Sequence, residues 1–468
     1  MQKKEKGVES KAFGNPADAP RVENKMGVMP IPKLVLTMSG PAMFSMMIRA
    51  LYNVVDSIFV AKTGEDAMAA LTLVFPAQMM LVAVGVGTGI GINSLVSRRL
   101  GAHRYDEANE AAGISLKLAF LSWLVFALCG LFLSGPFVRL FSEKPSIIDG
   151  GIQYLTIVLV FSLPALMDML FEKILQAEGN MVLPMVGSLI GCFLNIALDP
   201  IFIFGLFGVP AMGIVGAAVA TIIGQVAGMT VTLYGVRKRT KHLTVNFRSK
   251  MSSQTVKEVY AVGFPSILLQ TVVSVANFLM NYILVGFSTT AVAVMGTYGR
   301  LQSFIFMPVF GLNQGTTPIF GYNFGARNRG RIVKTLKVGW ILSLTVMTIG
   351  LLLFTLAPER LLGLFDATTE MLQIGIPAFK IISVCFLPAA IGIVSGGLFA
   401  ATGHGVISLL SAVIRQLVFI VPGAYIFGKI GGLSMVWWAF PLSEIFGLTF
   451  ILIMLHRVFK KDINPMEN

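Results

Sequence analysis

About twelve apolar stretches, each near the length needed to cross a bilayer, run along this 468-residue chain. A helix needs about 20 predominantly apolar residues to span the hydrocarbon core. The sequence therefore predicts an all-α integral membrane protein with twelve transmembrane helices. The predicted spans are residues 34–61, 68–97, 113–135, 152–177, 182–207, 211–236, 258–287, 291–320, 337–357, 374–401, 406–428 and 432–456.

The distribution of charge predicts the orientation of these spans. Only 13% of residues are charged, against roughly 25% in a soluble domain. The formal net charge is +13, which could suggest a nucleic-acid partner. We number the connections between spans from the N-terminus. Most Lys and Arg lie in the N-terminal tail and the even-numbered connections. The odd-numbered connections hold only Lys62, Arg139, Lys144, Arg360 and Lys429. This positive-inside bias predicts a cell (inner) membrane protein with both termini cytoplasmic, and no nucleic-acid partner.

Cysteine and histidine residues show no pattern of a disulfide framework, a metal site or an enzyme. Cys129, Cys192 and Cys385 fall inside predicted spans without paired spacing, so we interpret them as buried apolar side chains. The histidines are scattered along predicted cytoplasmic segments, and there is no phosphate-binding loop. These histidines are His103, His242, His404 and His456. We therefore expect no cofactor.

A shift of 224 residues aligns the two halves of the chain. The first matched pairs are Pro41 with Pro265, Gly87 with Gly311, Gly91 with Gly315, and Gly101-Ala102 with Gly325-Ala326. Each half holds six spans, an even number, so both halves have the same orientation. The sequence predicts two parallel six-helix bundles related by a pseudo-two-fold axis along the membrane normal, which is typical of transporters that alternate access between two bundles.

This repeat divides the chain into five regions. A polar cytoplasmic tail, expected to be disordered, covers residues 1–30. The N-terminal lobe covers 31–236, a Lys-, Arg- and Ser-rich cytoplasmic linker 237–257, the C-terminal lobe 258–460, and a second cytoplasmic tail 461–468. A binding cavity is expected between the lobes, near the midplane.

Several motifs resemble those of MATE (multidrug and toxic compound extrusion) transporters. They are LYNVVDSIFV at 51–60, NIALDPIFIF at 195–204, GAAVAT at 216–221, GINSLVSRRLGAHR at 91–104 and GTTPIFGYNFGARN at 315–328. The resemblance covers essentially all of the chain after the tail. It implies a V-shaped pair of six-helix bundles that exports bulky, mostly cationic or amphipathic compounds, driven by proton or sodium entry.

Acidic residues inside the first and fifth spans are the strongest candidates for function. Asp56 lies in the middle of an apolar run, where a charged side chain costs roughly 2.5 to 3.5 kcal/mol on insertion scales. Asn195 and Asp199 are four residues apart and share a helix face, beside a backbone carbonyl that Pro200 leaves without its usual donor. The sequence predicts a small polar site in the N-terminal lobe.

The family resemblance gives these residues a role. Asp56, Asn195, Asp199 and Thr221 match the positions of the N-lobe proton or sodium site, as in the DinF-like branch. Both ions suit carboxylate and amide oxygens, so the sequence does not choose between H⁺ and Na⁺. Asn195 could also be a helix–helix contact, and Thr221 could bond to its own helix. The counterparts of the four in the second half are Met280, Phe419, Gly423 and Ile445, so the acids are not duplicated.

Further polar and proline positions have two interpretations each. Pro41 matches a family proline proposed as the bend point of the first helix, but Pro265 in the same place equally indicates a shared kink. Asp168 and Glu172, four apart, form either a solvated helix end or an acidic vestibule for cationic substrate. Glu444 either takes part in coupling or pairs with a neighbour in its lobe.

Three arginines also fall inside predicted spans. Arg49 is expected to face the inter-lobe cavity or an acid on another helix. Arg300 and Arg415 are expected to hold helices together.

These observations predict a monomeric secondary antiporter that exports small organic cations or amphipathic compounds in exchange for inward H⁺ or Na⁺. It is not expected to be an enzyme, and its surroundings are the lipid bilayer. Two alternatives are a lipid-precursor flippase of the same superfamily and a membrane-embedded transferase or hydrolase.

Overall fold

A computed structural model describes residues 23–245 and 251–466, apart from the side chains at positions 53, 54, 56, 57 and 61. Every regular element in this part of the chain is helical. The first half contains α1 (Lys25–Val28), α2 (Ile31–Ala61), α3 (Glu65–Gly101), α4 (Tyr105–Phe132), α5 (Ser134–Arg139), α6 (Pro145–Val160), α7 (Leu163–Glu178), α8 (Val182–Phe204) and α9 (Ile214–Lys238).

The second half repeats this order of long and short helices. It contains α10 (Ser253–Val285), α11 (Thr289–Gly325), α12 (Arg329–Leu356), α13 (Pro358–Gly363), α14 (Thr369–Ser383), α15 (Phe386–Ala401), α16 (Gly405–Ala412), α17 (Val421–Gly431), α18 (Leu433–Val436) and α19 (Ala439–Val458). Two π-helical segments, Val413–Ile420 and Phe459–Ile463, follow α16 and α19.

The prediction of twelve spans is confirmed, and the spans differ in apolar content and in whether they are bent. Across the described residues, nine helical stretches are long and apolar enough to cross a membrane, and two bent pairs raise the number to eleven. The remaining long helix is α11, which has 37 residues and is less apolar because it includes Arg300, Gln302 and the Asn313-Gln314 pair. These twelve units form two six-helix lobes.

Two of the predicted spans, 152–177 and 374–401, are broken and bent. The pairs α6–α7 and α14–α15 bend by 45° and 47°. Pro164 and Pro388, which are related by the repeat, lie just after the two breaks, and a proline cannot donate to the carbonyl four residues earlier. At the first bend the indole nitrogen of Trp123 donates to the carbonyl of Val160 at 2.8 Å instead. By contrast, α2 and α10 remain helical through Pro41 and Pro265.

Each lobe packs around apolar side chains, and one core continues across the junction between the lobes. The N-lobe core includes residues of the C-terminal lobe such as Val259 and Ile319. The separate C-lobe core contains a group of aromatic rings, in which the centroids of Phe354 and Phe379 lie 5.2 Å apart. The lobes are therefore joined on one side by continuous apolar packing.

Glycines at repeat-related positions make the closest contacts between the lobes. A Cβ at Gly101 would overlap the carbonyl oxygen of Tyr322, and a Cβ at Gly325 would overlap that of Arg98. Arg98 and Tyr322 are themselves related by the 224-residue shift, so this crossing of α3 and α11 is symmetric. Gly87 and Gly91 approach the backbone of α10, and Gly311 and Gly315 approach that of α2. The glycines that reveal the repeat in the sequence are thus the inter-lobe contact surface.

The segment before α2, which falls in the range 1–30 predicted as a tail, includes the helix α1 and makes hydrogen bonds to both lobes. Residues 24–29, here called the N-terminal strap, lie at the end of the molecule where α3 and α11 cross, here called the terminal end. Asn24 donates to the carbonyl of Glu178 at 3.0 Å, while Arg331 donates to the carbonyls of Met26 and Met29 at 2.9 and 2.7 Å. The strap therefore contacts both lobes, and Met26 is fully buried. Residues 1–22 lie outside the described residues.

The linker and the C-terminus complete the terminal end. The linker predicted at 237–257 is bounded by the end of α9 at Lys238 and the start of α10 at Ser253, and its residues 246–250 lie outside the described residues. The final π-helical segment extends into the region predicted as the second tail. There Ile463 is buried, and Asp462 lies 3.5 Å from His404.

Candidate functional site

Three of the four residues predicted to form the ion site lie together between α8 and α9. Asp199 is fully buried and Asn195 is 2% exposed. With its amide nitrogen directed at the acid, Asn195 donates to Asp199 Oδ2 at 3.0 Å, and its oxygen accepts from the backbone N–H of Thr221 at 2.9 Å. The Thr221 hydroxyl donates to the carbonyl of Ala217, one turn earlier in its own helix, at 2.9 Å.

Small residues bring the two helices close enough for these short side chains to meet. Gly187 and Gly191 on α8 lie against Gly228 and Gly224 on α9, where a Cβ at Gly191 would lie 3.0 Å from the carbonyl oxygen of Gly224. Helices in a membrane approach most closely at such small residues. The carboxylate is consequently enclosed by protein and held by an amide from its own helix.

Asp56 lies in the last part of α2, which packs along α8. Its side chain is outside the described residues, so its membership of the site stays a prediction.

A second polar cluster in the N-terminal lobe surrounds Glu172, whose side chain on α7 is 11% exposed. Arg49 Nη2 on α2 lies 3.1 Å from Glu172 Oε2, and Arg49 Nε donates to Ser188 Oγ on α8 at 2.9 Å. Gln176 donates to Glu172 Oε1 at 2.7 Å, and Lys173 donates to Gln176 Oε1 at 2.9 Å. Of the two alternatives for Arg49, the structure thus shows a pairing with an acid on another helix.

The interpretation of Asp168 and Glu172 as a solvated helix end is wrong. Glu172 is buried, and Asp168 accepts a hydrogen bond from the hydroxyl of Thr232 at 2.7 Å. The two acids share α7 but have different partners. Their role as a substrate vestibule stays a prediction.

The cluster around Glu172 reaches the C-terminal lobe at a small cavity. This cavity, of about 10 Å³, has a polar lining of Ser45, Arg49, Glu172, Gln176 and Gln314. Gln176 Nε2 lies 3.4 Å from Gln314 Oε1 on α11. Neither glutamine was predicted from the sequence as a functional residue. The spacing of Gln176, one turn after Glu172, could have indicated the first, but no local pattern indicates the second.

The acid of the C-terminal lobe pairs with a cation of that lobe. Glu444 on α19 is 8% exposed and lies 3.2 Å from Arg415, which the π-helical segment Val413–Ile420 carries. The aliphatic part of Arg415 packs on Gly447. Arg415 thus joins two helices as expected, whereas Arg300 is exposed. A coupling role of Glu444 stays a prediction.

Two parallel six-helix lobes with buried carboxylates between their helices define a polytopic membrane transporter. The chain belongs to the MatE family, whose profile matches residues 41–201 and 265–426. The two matches begin 224 residues apart, which is the shift of the internal repeat. The resemblance inferred from the motifs is thereby confirmed.

Individual relatives agree with this assignment. The chain is 25% identical over 424 residues to the multidrug export protein MepA of Staphylococcus aureus (strain MSSA476), covering 89% of this chain and 91% of that protein. A structure described as the outward-facing conformation of a multidrug resistance MATE family transporter of the MOP superfamily has a TM-score of 0.87 and 26% identity, covering 95% of this chain and all of that one.

A second structure, of a MOP superfamily transporter from Pyrococcus furiosus, has the same TM-score with 25% identity and covers 95% of this chain and all of that one. For that transporter, a reverse polarity of the binding pocket is described as suggesting a different function. The protein is therefore a multi-pass membrane protein of a multidrug efflux transporter family, with small organic compounds as substrates. It is not a membrane-embedded enzyme.

Proposed function

We propose that this protein is a secondary antiporter that exports cationic or amphipathic organic compounds in exchange for inward H⁺ or Na⁺. The observation that carries the proposal is the enclosed carboxylate of Asp199, bonded to Asn195 beside Thr221. This N-lobe site is like the one expected from the DinF-like branch, with Asp56 as its second acid, and Na⁺ is the one metal ion that it would hold.

The chemistry of the site suits a reversible ion carrier. An ionised carboxylate inside the membrane is costly, and hydrogen bonding offsets only part of that cost. Binding a proton or a sodium ion removes most of the net charge, so the ion-bound and ion-free states of the lobe differ strongly in electrostatic energy. Such a difference can bias a two-state arrangement of the lobes.

The membrane potential provides the drive. With the terminal end in the cytoplasm, as the charge bias predicts, an inward elementary charge gains about 2.3 kcal/mol per 100 mV. The lobes are in contact at the terminal end, so the path between the cytoplasm and the space between the lobes is closed in this conformation. Alternating access requires that contact to open. Pro41 lies beside the contact of α2 with Gly311 and is the proposed bend point.

The test is transport by purified protein in liposomes with an imposed pH gradient or an imposed sodium gradient. We expect export of a fluorescent cation to follow one gradient, and we expect Asp199→Asn and Asp56→Asn to abolish that dependence. Asp66→Asn is the matched control, because Asp66 lies at the far end of α3 in an exposed pair with Lys144. Gradient-driven export by Asp199→Asn at the wild-type rate would show that the acid is not the coupling site.

Lipid flipping is the second outcome to check. The family match and the relatives described as multidrug exporters favour export of small molecules. A flippase would move labelled lipid between leaflets in the same liposomes without exporting the dye.

A further inference from the structure

Arg49 and Glu172 meet where the two lobes come together, and the cation is the accessible member of the pair. The Arg49 side chain is 39% exposed, whereas that of Glu172 is 11% exposed. Both side chains line the small cavity, which Gln314 of the C-terminal lobe also lines. A ligand approaching Glu172 from between the lobes therefore meets the guanidinium of Arg49 first.

The charges of the cluster cancel only while Arg49 is in place. Glu172 and the nearby Asp168 supply two negative charges, and Arg49 and Lys173 supply two positive charges, with Lys173 Nζ 3.7 Å from Glu172 Oε1. Withdrawal of Arg49 leaves one uncompensated negative charge inside the lobe, which is costly. One monovalent cation restores the balance, whereas an anion or a neutral molecule does not.

The cavity beside the pair is too small for an organic ligand unless Arg49 leaves it. The cavity of about 10 Å³ holds roughly one water molecule, whereas sites for drug-sized ligands measure about 300 to 1,000 Å³. Arg49 has a long side chain that can leave without moving a helix. Met46, Met181 and Met185 also line the cavity, and methionine side chains adapt to irregular shapes. Departure of Arg49 and separation of Gln176 from Gln314 would open room beside the acid.

We propose that Arg49 is a tethered cation that occupies the place of a substrate cation at Glu172, and that organic monocations bind by displacing it. This inference rests on the export function proposed above and assigns its substrate-binding acid. Arg49 thereby determines specificity, because only a ligand that brings one positive charge replaces it without an electrostatic cost.

Displacement of Arg49 would also remove a hydrogen bond to α8, the helix that carries the ion site. Arg49 Nε donates to Ser188, which lies on α8 seven residues before Asn195, or about 10 Å along the helix. Ser188, Asn195 and Asp199 are spaced by seven and four residues and so lie on one face of α8. When Arg49 leaves, α2 loses its hydrogen bond to this face, which gives the substrate a direct influence on the helix that carries Asp199.

The experiment is equilibrium binding of tetraphenylphosphonium to purified protein, by calorimetry and without any gradient. Arg49→Gln should bind this monocation about fivefold more tightly than wild type, since the competing ion pair is removed. Glu172→Gln should lose binding, and Arg49→Lys should stay within about twofold of wild type because its charge is retained. Neutral triphenylphosphine oxide should not distinguish the variants.

Arg139→Gln is the matched control, because it removes one positive charge from an exposed position in the same lobe. Thermal unfolding establishes that each variant is folded. If folded Arg49→Gln binds the cation as weakly as Glu172→Gln does, the pair is a structural contact and the proposal is wrong.

If Arg49→Gln does not fold, Ser188→Ala provides the same test with all charges preserved. It removes one hydrogen bond that holds Arg49, so it should tighten binding by about twofold, and unchanged or weaker binding counts against displacement. Because no gradient is present, failure here leaves the antiport proposal intact, and gradient-driven transport tests that proposal separately.

Discussion

The crossing of α3 and α11 offers a direct way to perturb the contact between the lobes. Gly325→Ala would place a Cβ against the carbonyl group of Arg98, with the carbonyl carbon 2.8 Å away. Gly101→Ala would do the same at Tyr322, with the carbonyl carbon 2.7 Å away. In both cases the atoms encountered are helix backbone, which cannot rotate aside as a flexible side chain can.

The geometry sets the size of the effect. Carbon atoms in contact lie about 3.5 to 4.0 Å apart, so the helix ends must separate by about 1 Å to admit the methyl group. Overpacking of this kind costs about 1 to 3 kcal/mol. Because the penalty applies only while the terminal end is closed, it should shift the population toward the arrangement open at that end by about 5- to 150-fold. The two substitutions act on one crossing, so their effects should not add.

The assay is the distance distribution between spin labels at positions 106 and 330, which are exposed, related by the repeat, and near the starts of α4 and α12. Gly325→Ala and Gly101→Ala should each populate longer distances. Gly299→Ala is the matched control, since it lies on α11 and a Cβ there would enter open space. Distributions for Gly325→Ala and Gly299→Ala that cannot be told apart would refute the inference that the glycines determine closure.

Three further results are expected elsewhere in the molecule. Arg331→Gln removes the guanidinium that donates to the carbonyls of Met26 and Met29, leaving only the bond from Asn323 to Met26, so amide hydrogen exchange in residues 25–29 should accelerate relative to the exposed-site control Arg327→Gln. Glu444→Gln leaves Arg415 without its partner and should destabilise the fold by up to about 3 to 5 kcal/mol in thermal unfolding, with Arg415→Met in the same chain recovering most of the loss. Trp123→Phe leaves the Val160 carbonyl without its donor at the α6–α7 bend and should lower stability by about 1 to 3 kcal/mol, whereas an unchanged melting temperature would contradict a role for that bond.

The twelve spans, the internal repeat and the pairing of Asn195 with Asp199 were accessible from the sequence. Each depends on local quantities: apolar length, a constant shift between similar segments, and a four-residue spacing on one helix. Helices are easier to predict in a membrane protein, because backbone N–H and C=O groups inside the membrane must form their hydrogen bonds within each helix.

Local sequence patterns do not predict the pairing of Arg49 with Glu172. The sequence left two alternatives for Arg49 and two for Glu172, a solvated helix end or an acidic vestibule, because the two residues are 123 positions apart. Only the packing of α2 against α7 and α8 decides that an arginine on one helix meets an acid on another.

The repeat-related glycines show the division most clearly. The sequence alone determined that they recur at one constant shift, yet it gave no reason for the recurrence. The tertiary structure supplies the reason, since these positions lie where α3 and α11 cross each other and where they pack on α10 and α2, and a side chain there would collide with the opposite backbone. The burial of Met26 in the strap likewise depends on tertiary packing, because the groove that covers Met26 exists only after both lobes have packed. Hydropathy and spacing determine which segments become helices, whereas the faces that meet depend on contacts between residues far apart in the chain, and only the folded protein fixes those.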